Sequence, residues 1–280
     1  MKIKNKEIAK NEKGLLIPKT DVVFQALFGV KGSERILGGF LSKILNQEVK
    51  KVSLDANQNL VQETVDEKLG ILDLRAIIEE NIDVNIEIQL VDKANLEKRI
   101  LLYWARRYGV QLKPGEDYRS LRKTIAILIT DYELESLKQI PKYQTKWQIR
   151  EEEYRQVILT DVMELYIIEL PKFIKYKKNK KKQVDSWLKF IENPEVVNMD
   201  ENAAIKKAQK ELEKISSDEH ERYLAELREK YIMDQKATED AGYYKGIKEG
   251  MISVAKKLLQ QKISIEVISK ATGLTKEEIE

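Results

Sequence analysis

The amino-acid sequence predicts an α/β core followed by an α-helical C-terminal region. Residues 125–129 are entirely apolar, which is typical of a strand buried on both faces and therefore central in a sheet covered by helices. Apolar residues at helical spacing come before and after the strand-like segments. Beyond Pro194 no further proline occurs, and the chain becomes rich in Glu, Lys and Ala. We therefore divide the 280 residues into a flexible N-terminus (1–14), a core domain (15–192) and a helical region (193–280).

Composition excludes several classes of chemistry. The chain has no cysteine, which excludes disulfides, thiolate metal sites and cysteine nucleophiles, and its one histidine, His220, leaves no Ser-His-Asp triad. The net charge is only +3, so an anionic partner has to be recognised by local basic clusters. Neither a signal peptide nor a membrane-spanning run is indicated. We expect a cytoplasmic protein that has no membrane partner.

The core elements follow from local patterning. A helix begins at Asp21, with Thr20 or Asp21 as its cap, and ends before Gly29. Two apolar stretches, 71–78 and 84–91, flank a short polar segment and predict a β-hairpin. The remaining predictions are helices at 33–45, 95–112 and 184–191, and extended segments at 52–54, 60–64, 124–132, 155–159 and 163–170.

Two later segments leave alternatives open. Residues 175–182 hold six lysines in eight positions, either a solvated loop or a phosphate contact. A long helix is predicted over 218–261. The chain end, 253–280, reads as three short helices with a capping box from Thr275 to Glu278, a helix-turn-helix-like layout. Because its last helix is short and acidic, we favour a packing or oligomerisation module over DNA recognition.

The hairpin carries the candidate chemistry. If it is centred near Glu80, residues whose numbers sum to about 160 face each other, and Asp73 lies opposite Glu87. Like charges at facing positions are destabilising, which makes sense when a divalent cation lies between them. Mg²⁺ fits, since it prefers oxygen ligands and commonly uses one or two carboxylates. The alternative is a solvated hairpin in which both acids belong to an ordinary polar face.

Several motifs in order resemble a known family. They are Asp21-Val-Val-Phe24, Asp66-Glu67-Lys68 leading to Leu72-Asp73-Leu74, Asn85-Ile86-Glu87-Ile88-Gln89, and a tail from Gly246 to Thr275. The segment from Lys19 to about Phe173 is similar to the recombination-promoting nuclease and putative transposase family, a branch of the PD-(D/E)XK nucleases. The resemblance implies a restriction-endonuclease-like core, a mixed central sheet flanked by helices, over residues 15–192.

The resemblance also implies roles for single residues. Asp73 and Glu87 match the two carboxylates, which with the backbone carbonyl of Ile88 would hold Mg²⁺, or Mn²⁺ in its place. Leu72 replaces the proline of the motif, and Gln89 stands where a lysine is usual. A neutral amide orients water but supplies no charge. Lys68 is a candidate replacement, or else an exposed turn lysine.

Four further residues have both a functional and a structural interpretation. Asp21 is either an accessory acidic contact or a helix cap. Arg99, Tyr103 and Arg106 recur at i, i+4 and i+7, so they either contact DNA phosphates or form a charged outer face.

Together these features predict a Mg²⁺-dependent DNA endonuclease linked to recombination or transposition. The alternative is an inactive nuclease-like protein that assembles through its C-terminal helices, because Gln89 has replaced lysine. A transposase acting in strand exchange shares the same metal site. We expect DNA as the substrate and a homo-oligomer formed through residues 218–261.

Overall fold

The computed structural model describes residues 10–11, 13–54, 74–92, 95–176, 185–196 and 203–280. The chain divides into two compact units, Met1–Glu229 and Lys230–Glu280. The first unit contains six described strands, β1 Val52–Leu54, β2 Leu74–Ile78, β3 Ile82–Gln89, β4 Lys123–Thr130, β5 Gln144–Trp147 and β6 Met163–Glu169.

These strands form one mixed sheet in the order β1-β2-β3-β4-β6-β5. Strands β1, β2 and β3 pair antiparallel, β3, β4 and β6 pair parallel, and β5 pairs antiparallel with β6. Strand β4 is central, and its apolar residues are buried on both faces. The predicted mixed sheet with residues 125–129 at its centre is therefore confirmed.

The described helices are α1 Asp21–Phe28, α2 Glu34–Leu45, α3 Leu96–Gly109, α4 Leu170–Tyr176, α5 Asp185–Glu192, α6 Ala203–Ser217, α7 Glu219–Gln260, α8 Ile265–Thr272 and α9 Lys276–Ile279. They confirm the helices predicted from periodicity, including the long one, which spans 42 residues. Most of the lysine-rich segment, residues 177–182, lies outside the described residues.

Aromatic packing joins the first helices to α5. The ring centre of Phe40 lies 5.3 Å from that of Phe28 and 5.7 Å from that of Trp187. Helix α6 packs against α1 and α2, and Gly39 permits its close approach, since a β-carbon there would lie 2.4 Å from the β-carbon of Ala204. Helix α6 therefore belongs to the first unit, although it follows residue 193.

One predicted strand is wrong and one strand was not predicted. Residues 155–159 form exposed turns that fold back on the preceding segment, with a single bridge between Arg150 and Ile158. The sheet edge is taken instead by β5, whose sequence Gln-Thr-Lys-Trp carries no apolar alternation. An edge strand is partly solvated, so its sequence need not be apolar. The extended segment predicted at 60–64 lies outside the described residues.

The second unit contains α7 from Lys230 onward, together with α8 and α9. Ala255, Ile268, Leu274 and Ile279 form its buried core. Thr275 and Glu278 make the predicted capping box, and Lys248 pairs with Glu278. Helix α9 has four residues, as short as the sequence indicated. Within the described parts of the chain, no helix has the length and apolar character needed to cross a membrane.

Candidate active site

Strand β3 carries a continuous polar face inside the protein. Period two places its polar side chains on one face and Val84, Ile86 and Ile88 on the other. Unusually for such a face, every polar member is buried: Asp83, Asn85, Glu87 and Gln89. A buried polar group is costly unless it is hydrogen-bonded. Helix α3, which packs against this side of the sheet, supplies arginine donors to Asp83 and to Glu87.

Glu87 is the centre of this face. Its side chain is 0% exposed, and Oε1 accepts a hydrogen bond from Nε2 of Gln89 at 2.6 Å. The same oxygen lies 3.3 Å from Nη2 of Arg99. A buried carboxylate can stay ionised when a cation and hydrogen-bond donors face it. The site thus contains a fully buried, charge-paired carboxylate at the carboxyl end of a strand.

The predicted stripe on α3 divides into two parts. Arg99 lies in the first turn of the helix with its side chain 21% exposed, and its guanidinium lies 5.8 Å from the ring centre of Tyr103. Tyr103 is half-buried, whereas Arg106 is exposed. The structure therefore brings Arg99 to Glu87 and leaves Arg106 at the surface. Whether these residues contact phosphate stays a prediction.

A second ion pair crosses the same interface farther along α3. Nε of Arg107 donates to Oδ1 of the buried Asp83 at 2.8 Å. Between the two pairs, Nε1 of Trp104 donates to the carbonyl oxygen of Thr124 at 2.9 Å. Sequence reasoning missed Arg107, although its spacing of eight residues from Arg99 places it near the same helix face. These bonds fix α3 against β3 and β4.

The hairpin register is as predicted. Leu74 pairs with Ile86, Arg75 with Asn85 and Ala76 with Val84, so the paired numbers sum to 160. Asp73 and Lys68 lie outside the described residues. In the chain Asp73 comes directly before the residue that pairs with Ile86, and Glu87 comes directly after Ile86.

A buried lysine–glutamate pair joins Glu169, at the end of β6, to Lys172 in α4. Thr130 is the register partner of both Gln89 and Glu169. Glu169 Oε2 lies 2.8 Å from Nζ of Lys172, and both side chains are buried. Lys172 also donates to the carbonyl of Leu137 at 2.6 Å. The pair anchors the loop after β4, and its i, i+3 spacing at the end of an apolar strand was the signal available in the sequence.

Lys19 provides a further cation near the carboxyl ends of these strands. Its Nζ lies 3.0 Å from Asp131 and 3.0 Å from Glu192. Asp131 in turn donates its backbone N–H to the carbonyl of Gln89 at 3.0 Å. Burial disfavours the charged amine, but the two carboxylates outweigh burial and raise the pKa of Lys19. Lys19 is therefore a charged residue committed to two partners.

Asp21 lies in the first turn of α1, and its carboxylate is buried. Thr20 is the N-cap residue of α1 and makes no side-chain capping bond, whereas Oδ1 of Asp21 accepts a hydrogen bond from the backbone N–H of Val22 at 3.0 Å. The Asp21 carboxylate accepts a hydrogen bond from Nε of Arg228 at 2.8 Å and a second from Nη2 of the same arginine. This buried, bidentate pair joins α1 to α7. An accessory role at the metal site stays a prediction.

The donor chemistry at Glu87 fits a magnesium ion. Its carboxylate is a hard oxygen ligand in a buried position, and Mg²⁺ typically binds one or two carboxylates while keeping several waters. No group of three or more His, Cys, Asp or Glu side chains suited to a metal occurs among the residues that the structure describes. A site here relies on few protein ligands.

Comparison with known proteins agrees with this arrangement. The family model described as PD-(D/E)XK nuclease family transposase matches residues 18–242, most of the chain. The mixed six-stranded sheet flanked by helices is consistent with that nuclease fold. Searches of the curated proteins and of the solved structures gave no significant match.

Proposed function

The chain belongs to the PD-(D/E)XK nuclease family transposases, and from this premise we propose that it is a Mg²⁺-dependent endonuclease that hydrolyses DNA phosphodiester bonds. The observation that carries the proposal is Glu87, a fully buried carboxylate at the end of a polar strand face. A solvated hairpin would leave such an acid exposed. A buried acid that faces a cation is typical of a site that binds charge.

Asp73 and Glu87, with the backbone carbonyl of Ile88, would hold the ion, and Mn²⁺ can replace Mg²⁺ because it takes the same oxygen ligands. When bound, the metal supplies a water of lowered pKa and stabilises negative charge on the phosphate. The hairpin register supports this ligand set, since its paired numbers sum to 160 as far as Leu74.

Gln89 orients Glu87 and supplies no charge of its own. Its Nε2 donates to Oε1 at 2.6 Å, which fixes the carboxylate while the carbonyl end of the amide can accept a hydrogen bond from water. Lys68 is proposed to contribute a positive charge near the nucleophile. The substrate's flanking phosphates are proposed to contact Arg99, Tyr103 and Arg106 on α3.

Plasmid cleavage tests the proposal directly. Purified protein is incubated with supercoiled DNA in Mg²⁺, in Mn²⁺ and in EDTA, beside Asp73→Ala, Glu87→Ala and the exposed control Glu48→Ala. We expect nicking or linearisation that requires metal and both carboxylates and that the control retains. Absence of cleavage by the folded wild-type protein in either metal would reject the proposal. Joining of a labelled 3′ end to target DNA in the same reactions would identify strand transfer in place of hydrolysis.

A second candidate function is an inactive nuclease-like protein that assembles with its own copies. Gln89 favours it, and so does the surface of α7 in the second unit, where six large apolar side chains are exposed: Met233, Tyr243, Tyr244, Ile247, Met251 and Val254. Such exposure on one helix is typical of an interaction surface. The test measures the solution mass of the full chain and of a chain that ends at Ser216. If both form assemblies with the same number of copies, assembly through this region is rejected.

A further inference from the structure

Arg99 is the cation that the described structure brings to Glu87. Resting on the proposed nuclease function, we propose that Arg99 pairs with Glu87 in the metal-free protein and transfers its guanidinium to the DNA phosphate when Glu87 takes a divalent ion. Arg99 is thus a phosphate-binding residue whose resting partner is a metal ligand. Beyond a simple phosphate contact, the proposal includes a competition in which Arg99 and the metal ion bind the same carboxylate.

The geometry of the pair carries the first step. Nη2 of Arg99 lies 3.3 Å from Oε1 of Glu87, the oxygen that already accepts the 2.6 Å bond from Gln89. Among the described residues, the hydrogen-bond partner of Arg99 is Glu87 alone, and a guanidinium has five N–H donors. The long contact therefore uses a small part of its capacity and leaves donors for a phosphate.

Charge balance carries the second step. In the absence of metal, the buried Glu87 is stabilised by a cation, because an unpaired buried carboxylate is strongly disfavoured. A divalent ion on the same carboxylate removes that need and repels the guanidinium. Binding of metal to Glu87 and binding of Arg99 to Glu87 are then linked equilibria, and each weakens the other by the same factor.

Two other cations that the structure describes near these strand ends have fixed partners. Lys172 is 0% exposed and is bound to Glu169 and to the carbonyl of Leu137. Lys19 lies 3.0 Å from each of two carboxylates. Moving Lys172 would leave the buried Glu169 unpaired, and moving Lys19 would remove the cation shared by two partly buried acids. Arg99 differs, since the ion that frees it also neutralises the acid that it leaves.

The surroundings of Arg99 permit a side-chain motion without movement of the helix. Helix α3 is fixed to the sheet by Arg107 and Trp104, whose bonds to Asp83 and to the carbonyl of Thr124 are 2.8 and 2.9 Å long. The Arg99 side chain keeps 21% of its surface in solvent. The ring of Tyr103, 5.8 Å from the guanidinium, offers a face on which the guanidinium can rest.

The experiment compares Arg99→Gln and Arg99→Lys with Arg107→Gln, a matched change at the same α3–β3 interface. Mn²⁺ affinity is measured by calorimetry on the full chain at pH 8, and DNA cleavage is measured in parallel. We expect Arg99→Gln to bind Mn²⁺ at least about fivefold more tightly while cleaving about 100-fold more slowly. Arg99→Lys keeps a charge and recovers part of the rate. Arg107→Gln leaves Mn²⁺ affinity within about twofold of wild type, since the carboxylate that Arg107 binds at 2.8 Å is that of Asp83.

The outcomes separate this proposal from the proposed function. Mn²⁺ affinity that is unchanged or weaker in folded Arg99→Gln overturns the exchange, whatever the cleavage rate. Wild-type protein that binds Mn²⁺ without cleaving DNA rejects the nuclease, yet tighter binding by Arg99→Gln still supports the competition. If Arg99→Gln does not fold, Arg99→Lys decides, because an ammonium that cannot fork still weakens the pair. Wild-type protein that binds no Mn²⁺ overturns both proposals.

Discussion

Two arginine–carboxylate pairs cross the same interface between α3 and β3, and they differ in the length of the contact and in the other bonds of the acid. Arg107 and Asp83 form a 2.8 Å contact. Arg99 and Glu87 lie 3.3 Å apart, and Glu87 also accepts the bond from Gln89. Both carboxylates are buried. Burial and pairing are common to both acids, so Glu87 is distinguished by its place near the carboxyl end of β3 and by its second bond from Gln89. The longer contact belongs to Arg99 and Glu87, and this is the pair that we propose exchanges its cation.

The largest expected effect is the difference in DNA cleavage between two variants that each neutralise one of these carboxylates. Glu87→Gln keeps the shape but removes a proposed ligand, and we expect DNA cleavage to fall by about 100-fold or more, because a metal contributes several kcal/mol to catalysis. Asp83→Asn should keep cleavage within a few-fold of wild type. The measurement is the initial rate of plasmid nicking at saturating Mg²⁺.

Thermal unfolding of both variants serves as the control for this comparison. Each substitution removes one carboxylate from the α3–β3 interface, so a comparable loss of stability with unequal activity assigns the difference to chemistry. Equal activity of the two folded variants would mean that Glu87 is no more functional than Asp83.

Breaking the other pair from its arginine side should affect stability more than activity. Arg107→Ala leaves Asp83, 1% exposed as a residue, without its cation. We expect the free energy of unfolding to fall by about 1–3 kcal/mol, less than for a fully buried pair because Arg107 is partly exposed. Urea denaturation at pH 7 measures this. If Arg107→Ala reduced DNA cleavage but left the free energy of unfolding unchanged, the Arg107–Asp83 pair would be functional rather than structural.

A third carboxylate, Glu164, extends the comparison to pH. Burial favours its neutral form, but hydrogen bonds from Lys123, Lys146 and Tyr166 outweigh burial and lower the pKa of Glu164 below 4.5. A lowered folded-state pKa adds stability that is present above the unfolded-state pKa and is lost as pH falls through the folded-state pKa. Glu164→Gln should therefore lose less stability between pH 7 and pH 3 than wild type.

The exposed pair of Glu48 and Lys50 provides the control for the pH measurement. Its side chains are 74% and 69% exposed, and surface pairs contribute little to stability. Glu48→Gln should follow the wild-type pH dependence in urea denaturation. A Glu164→Gln curve that coincides with wild type would show that the lysine contacts do not stabilise the acid in solution.

Local pattern predicted much of the fold, and it failed where an element depends on its neighbours. The apolar run 125–129 and the hairpin register were predicted correctly, because a buried strand and a short turn leave periodic signals. Strand β5 was missed and residues 155–159 were wrongly read as a strand. Strand β5 lies at the sheet edge, where pairing with β6 decides the conformation and the side chains are partly buried. Residues 155–159 are exposed, and their one bridge is to Arg150, so their apolar residues do not belong to a buried strand.

For the candidate site, the sequence by itself determined that Glu87 and Gln89 share a strand face and that the hairpin numbers sum to 160, since both follow from strand period and turn position. Only the tertiary structure decided which cations meet which acids. Arg99 reaches Glu87, and Arg228 reaches Asp21 across 207 residues, through helix packing. Such contacts depend on how separate elements are docked, and no local periodicity records that geometry.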